Sequence, residues 1–113
     1  LIDRFIDSTL AYQHYGMGVD RKIIELINNF LLKDITISFT FLNLVTTKNM
    51  KKRLRKRKIL NRYDKFNSSF YKKVQSGFIK ILKKNPKKYM QINSNLDIID
   101  NENLILNKVK ELI

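Results

Sequence analysis

The chain has 113 residues, and 23 Lys+Arg against 10 Asp+Glu give it a formal charge of +13. With no Cys and a single His, His14, it excludes disulfides, thiolate nucleophiles, cysteine-ligated metals and any His-based metal centre or His–His relay. Its longest apolar stretches, such as 39–45, are too short to span a bilayer and are broken by Thr40 and Asn43. The charge would attract phosphate, nucleic acid or an anionic membrane, but much of it is Lys set among Asn and Ile, a compositional bias, so no function rests on it alone. No signal-peptide pattern is visible, and a soluble cytoplasmic protein is expected.

Leu1-Ile2 running into Asp3-Arg4 reads as the tail of a strand. Residues 3–15 carry Phe5, Leu10 and Tyr12 among small polar residues, and Gly16-Met17-Gly18 then breaks the pattern, which predicts a helix with a glycine stop. Asp20 can cap a second helix whose Ile23, Ile24, Ile27, Phe30 and Leu31 recur at helical spacing and should bury one face. Residues 37–45 are β-branched and aromatic with few charges, as expected of a strand buried on both sides in a parallel sheet. Residues 48–58 are basic nearly all round, with only Met50 and Leu54 apolar at i,i+4, so this helix should be exposed or mobile.

A long helix follows, capped by Asp64 and carrying Phe66, Phe70, Val74, Phe78, Ile81 and Leu82 before Pro86. Residues 89–92 suit a short strand and 93–97 a turn, and Asn101 can cap a last helix built on Leu104, Ile105, Val109 and Leu112. Strands separated by helices imply parallel crossovers and an α/β fold. Two or three strands are too few to cover two helix layers, so the missing strands are expected upstream of Leu1.

Two segments carry chemistry. In Asp3-Arg4-Phe5-Ile6-Asp7-Ser8-Thr9-Leu10-Ala11-Tyr12-Gln13 an Arg at a strand end precedes Ser, Thr, Tyr and Gln on a helix. That order sets a bidentate phosphate binder beside neutral groups suited to a sugar and base. Taken alone, it also reads as a surface Arg–Asp pair followed by a capping Ser or Thr. The second segment is Arg53-Leu54-Arg55-Lys56-Arg57-Lys58-Ile59-Leu60-Asn61-Arg62, where Arg53 and Arg57, four apart, share one helix face. Mobile guanidinium groups of this kind can close over phosphates and stabilise a transferring phosphoryl group; a solvated basic helix is the plainer alternative.

Taken together these segments resemble thymidylate kinases. The first resembles the signature that closes the monophosphate pocket. Gly16 and Gly18 with Val19-Asp20 match the family's Gly-rich turn, 39–45 its hydrophobic strand, and the basic segment its arginine-rich lid. Phe70-Tyr71-Lys72-Lys73-Val74 and Gly77-Phe78 resemble the aromatic helix after the lid, and Ile92-Asn93-Ser94 the family's Ile-Asp followed by small residues. The resemblance covers the whole chain. It departs at His14, Tyr15 and Met17 in the turn, and at Asn43, Asn61 and Asn93, each of which replaces an Asp.

The resemblance implies a partial phosphate-loop nucleoside monophosphate kinase fold, with a parallel sheet flanked by helices. Residues 1–113 would be the C-terminal part of a single kinase domain, with a dTMP-site helix at 3–15, a lid at about 48–64, and the C-terminal helices and last strand at 64–113. The activity implied is phosphorylation of dTMP to dTDP by ATP with Mg²⁺. Arg4, Ser8, Thr9, Tyr12 and Gln13 would hold dTMP; Arg57, Arg62 and Asp3 would serve catalysis; Arg53, Asn93 and Ser94 would lie on the ATP side, with no protein metal site. None of Gly16, Gly18 and Gly77 precedes Lys, so the triphosphate loop G-x-x-x-x-G-K-[ST] does not occur in these residues, and the segment alone should be inactive. A homodimer through 20–31 is implied, with no nucleic-acid or membrane partner. Two other classes fit the bare residues: a nucleic-acid module using 48–58 with Tyr63 and Phe66, and a helical interaction module using Ile23, Ile27 and Phe30.

Overall fold

The computed structural model describes residues 1–57, 59 and 67–113. The Asp64 cap, the lid residues Asn61 and Arg62, and the aromatics Tyr63 and Phe66 lie outside the described residues. The elements follow the expected order: α1 (Ile6–Thr9) running into a π-helical segment (Leu10–Gly16), α2 (Arg21–Leu31), β1 (Thr40–Leu44), α3 (Thr47–Arg55), α4 (Ser68–Lys84), β2 (Tyr89–Asn93) and α5 (Ile98–Leu112).

β1 and β2 pair in parallel, in a register from Thr40 opposite Tyr89 to Leu44 opposite Asn93. β1 is shorter than the apolar run 37–45 because β2 offers only five residues to pair with. Nor is it buried on both sides: Leu42 and Leu44 are buried, whereas Asn43 between them is exposed. The main core lies instead between the π-helical segment and α4, where Ala11, Phe70, Tyr71, Val74 and Ile81 pack together. The two helical segments approach closely at Gly77, where an added Cβ would lie 2.7 Å from the Tyr15 side chain. Beyond the π segment the Val19 N–H bonds the Gln13 carbonyl and Gly18 takes a φ of +77°, the left-handed stop that glycine accepts without a Cβ clash.

Three expectations change at helix ends and faces. Asp20 does cap α2, its side chain accepting from the Lys22 N–H at 2.9 Å, but of the apolar stripe only Ile24 is buried; Ile23, Ile27, Phe30 and Leu31 are exposed, as is Leu26 beside them. The cap of α4 is Asn67, whose Oδ1 accepts from the Phe70 N–H at 2.9 Å. α5 starts earlier than Asn101 suggests, with Asp97 as its cap, and the Asn101 side chain instead reaches back to donate to the Asn93 carbonyl at 2.9 Å.

The helix that opens the chain is tied to the sheet by a half-buried bond in which the Tyr89 hydroxyl donates to Asp7 Oδ2 at 2.8 Å. Burial pushes the Asp7 carboxyl above its ordinary range, and the Tyr89 bond only partly offsets this. Burial, then the bond and the charge of Asp7, hold the Tyr89 phenol well above its ordinary value of 10.0. A phenol whose folded value is raised adds stability that is fully present below the unfolded value and is lost as pH rises from there through the folded value. Stability should therefore fall above about pH 10, and Tyr89→Phe should flatten that fall relative to the native chain. Urea midpoints measured between neutral and strongly alkaline pH check this, and parallel declines would contradict it.

Candidate active site

Arg4 stands in the turn before α1 with a φ of +59°, the left-handed region that a long side chain enters at a cost of about 1–2 kcal/mol. Its guanidinium carbon lies 5.7 Å from the centroid of the Tyr12 ring, a cation–π distance. Tyr12 is in turn set against two rings of α4, Phe70 at 5.9 Å and Phe78 at 6.3 Å. The core thus fixes Tyr12, and Tyr12 supports Arg4.

α3 leaves the end of β1 with Thr46 as its cap, the Thr46 hydroxyl accepting from the Asn49 N–H at 3.3 Å. Met50 packs against the core, which holds the first half of this basic helix down, while Arg53 and Arg57 stay exposed beyond it. Arg53 donates from its guanidinium to the Ser94 carbonyl. The Arg57 N–H bonds the Leu54 carbonyl at 3.1 Å as the helix ends.

A cleft of about 970 Å³ opens between these parts, and Asp3, Arg4, Ser8, Tyr12, Arg53 and Arg57 all line it. Three arginines line it together with a hydroxyl and a phenol, side chains of the kind that can bind a phosphorylated ligand. Arg53 also lines a second cavity of about 590 Å³ with Ser94, Leu96, Ile98 and Ile105, whose mostly apolar wall suits a flat ring system. Asn43 lines both.

Other expected site residues fall elsewhere. Thr9 and Gln13 sit on the same helical stretch but line neither cavity. Asn93 also lines neither: its Oδ1 accepts from Asn95 N at 3.0 Å and Asn95 Nδ2 at 2.8 Å, so it organises the turn after β2. Arg62 lies outside the described residues. Gln75 and Asn95, which bond to the base of α3, went unnoticed in the sequence. The only available signal for Gln75 was an amide placed four residues after Tyr71, on the flank of the apolar stripe.

The family model described as thymidylate kinase matches residues 1–105. A thymidylate kinase of Sulfurihydrogenibium sp. (strain YO3AOP1) is 32% identical over 111 residues, which are 98% of this chain and 53% of that protein. One of Ehrlichia canis (strain Jake) is 38% identical over 113 residues, covering 98% of this chain and 54% of its own. The crystal structure of thymidylate kinase from Ehrlichia chaffeensis aligns over 96% of this chain and 48% of that one, at a TM-score of 0.61 and 32% identity. The chain spans about half the length of the curated relatives it matches.

Proposed function

The chain belongs to the thymidylate kinase family, and on that premise we propose that it forms the C-terminal part of a kinase domain, supplying the monophosphate site and the lid. The reaction is transfer of the ATP γ-phosphoryl group to a phosphate oxygen of dTMP, giving dTDP and ADP. The observation that carries this reading is that Arg4, Tyr12, Arg53 and Arg57 line one cleft.

In that reaction Arg4 grips the dTMP phosphate with its guanidinium fork and Asp3 orients it. Tyr12 and Ser8 line the nucleoside side. Thr9 and Gln13 supply the thymine and sugar contacts that the family resemblance implies. Arg57, with Arg62, neutralises charge on the transferring group, and Arg53 sits against adenine beside Ser94, the turn being shaped by Asn93. Mg²⁺ in this class of reaction is held largely through the nucleotide phosphates. Among the described residues no group of three His, Cys, Asp or Glu could hold a metal ion.

The uncovered stripe of α2, with Leu26 at 72% and Phe30 at 79% exposure, is a surface for pairing with a second copy of the chain. No described helix is long and apolar enough to cross a membrane, and a reaction between soluble nucleotides belongs in the cytoplasm.

A coupled assay of ADP release tests the reading on the longest natural polypeptide that carries this chain. dTMP should be used in preference to dUMP and dCMP. Equal use of all three would remove the thymidylate assignment.

A further inference from the structure

β1 ends at Leu44 and α3 begins at Thr47, so Val45 and Thr46 form the junction from which the basic helix departs. Both residues are held by side chains from other elements. From α4, Gln75 accepts from the Val45 N–H at 3.3 Å and donates through Nε2 to the Val45 carbonyl, so one amide meets both backbone groups of the residue.

From the turn between β2 and α5, Asn95 presents a single oxygen to three donors: Thr46 N–H at 3.1 Å, the Thr46 hydroxyl at 3.3 Å and Asn49 Nδ2 at 2.9 Å. Its own Nδ2 donates to Asn93 Oδ1, which keeps the amide from rotating. The Thr46 hydroxyl relays the link, because it also accepts from the Asn49 N–H that it caps. The first turn of α3 is therefore tied to the same turn whose Ser94 carbonyl receives Arg53.

We propose that Asn95 is a positioning residue for phosphoryl transfer, fixing the pivot of the lid, with Gln75 holding that pivot from the α4 side. This rests on the kinase reading above. Arg53 lies seven residues beyond Thr46, about 10 Å along a helix, so a tilt of about 10° at the pivot displaces its backbone by about 2 Å. Displacements of about 1 Å in a positioning group are enough to cost up to about a hundredfold in rate. The amide oxygen is suited to this work because all three partners are donors and a neutral acceptor adds no charge beside the arginines.

The test compares Asn95→Ala and Asn95→Asp in the longest natural polypeptide that carries the chain. Asn95→Ala should lower kcat about tenfold or more while the KM for dTMP stays within about twofold. Asn95→Asp, which keeps the acceptor but loses the donor to Asn93 Oδ1 and adds a charge, should lie between Asn95→Ala and the native chain. A merely structural residue would lower the melting temperature and leave kcat per folded molecule unchanged; that outcome overturns the proposal. Amide exchange at Thr46 judges it without activity: Asn95→Ala should accelerate exchange about tenfold or more, and an unchanged rate overturns it. An inactive native enzyme would thus refute the kinase reading while exchange still decides the pivot. Should Asn95→Ala not fold, Asn49→Ala removes one of the three donors and should give the same split between kcat and KM in smaller degree, with no change in kcat again overturning the claim.

Discussion

Replacing Arg57 with alanine should lower turnover by about a hundredfold or more at saturating ATP and dTMP, the range lost when one charge-stabilising donor is removed from a phosphoryl or acyl transfer site. Arg57 follows the end of α3 and lines the same cleft as Arg4 and Asp3. On the proposed reading such a group would meet the phosphates with the lid closed and contribute most when charge spreads over the transferring oxygens. The KM for dTMP should change little, because the groups that grip the monophosphate sit on α1 and the turn before it. A fall in kcat/KM matched by an equal fall in kcat is the signature to look for. Near-normal turnover would remove Arg57 from the chemistry.

The second large effect is expected at Arg4. Two charge-assisted bonds to a phosphate contribute about 3 kcal/mol together, so Arg4→Ala should lower kcat/KM for dTMP by about a hundredfold or more. The left-handed backbone and the Tyr12 ring beneath the guanidinium fix where that fork points, and Arg4→Lys, with charge but no fork, should recover only part of the loss. Neutralising Lys51 and Lys52, exposed on α3, and Lys56, exposed just after it, should leave dTMP affinity nearly intact. The opposite pattern, binding that survives Arg4→Ala and disappears with the lysines, belongs to a charge-driven nucleic-acid module. Steady-state kinetics and nucleotide titrations on the three variants separate the two.

The order of elements was legible because each long helix repeats its apolar residues at three- and four-residue spacing, as α4 does through Phe70, Val74, Phe78 and Ile81. Its exact start was less so, since Asp64 and Asn67 are equally plausible caps by type and only geometry selects Asn67. The sequence also pointed to Arg4, Tyr12, Arg53 and Arg57, which do line one cleft. The π-helical stretch was not legible, because one wide turn leaves the local residue types unchanged. The left-handed φ of Arg4 was equally hidden, being imposed by what surrounds it. Asn95 and Gln75 act across 49 and 30 residues of sequence, and no local pattern announces a side chain that caps a distant junction. The stripe of α2 was legible as apolar but not as uncovered, since periodicity gives a face and not its partner.

The most direct measurement is a crystal structure of the longest natural polypeptide carrying this chain, grown with dTMP. The phosphate should lie in the cleft with its oxygens about 3 Å from the Arg4 guanidinium and the nucleoside alongside Tyr12. A dTMP phosphate bound instead on the exposed basic face of α3, or a cleft left empty at saturating dTMP, would contradict the assignment of this cleft as the monophosphate site.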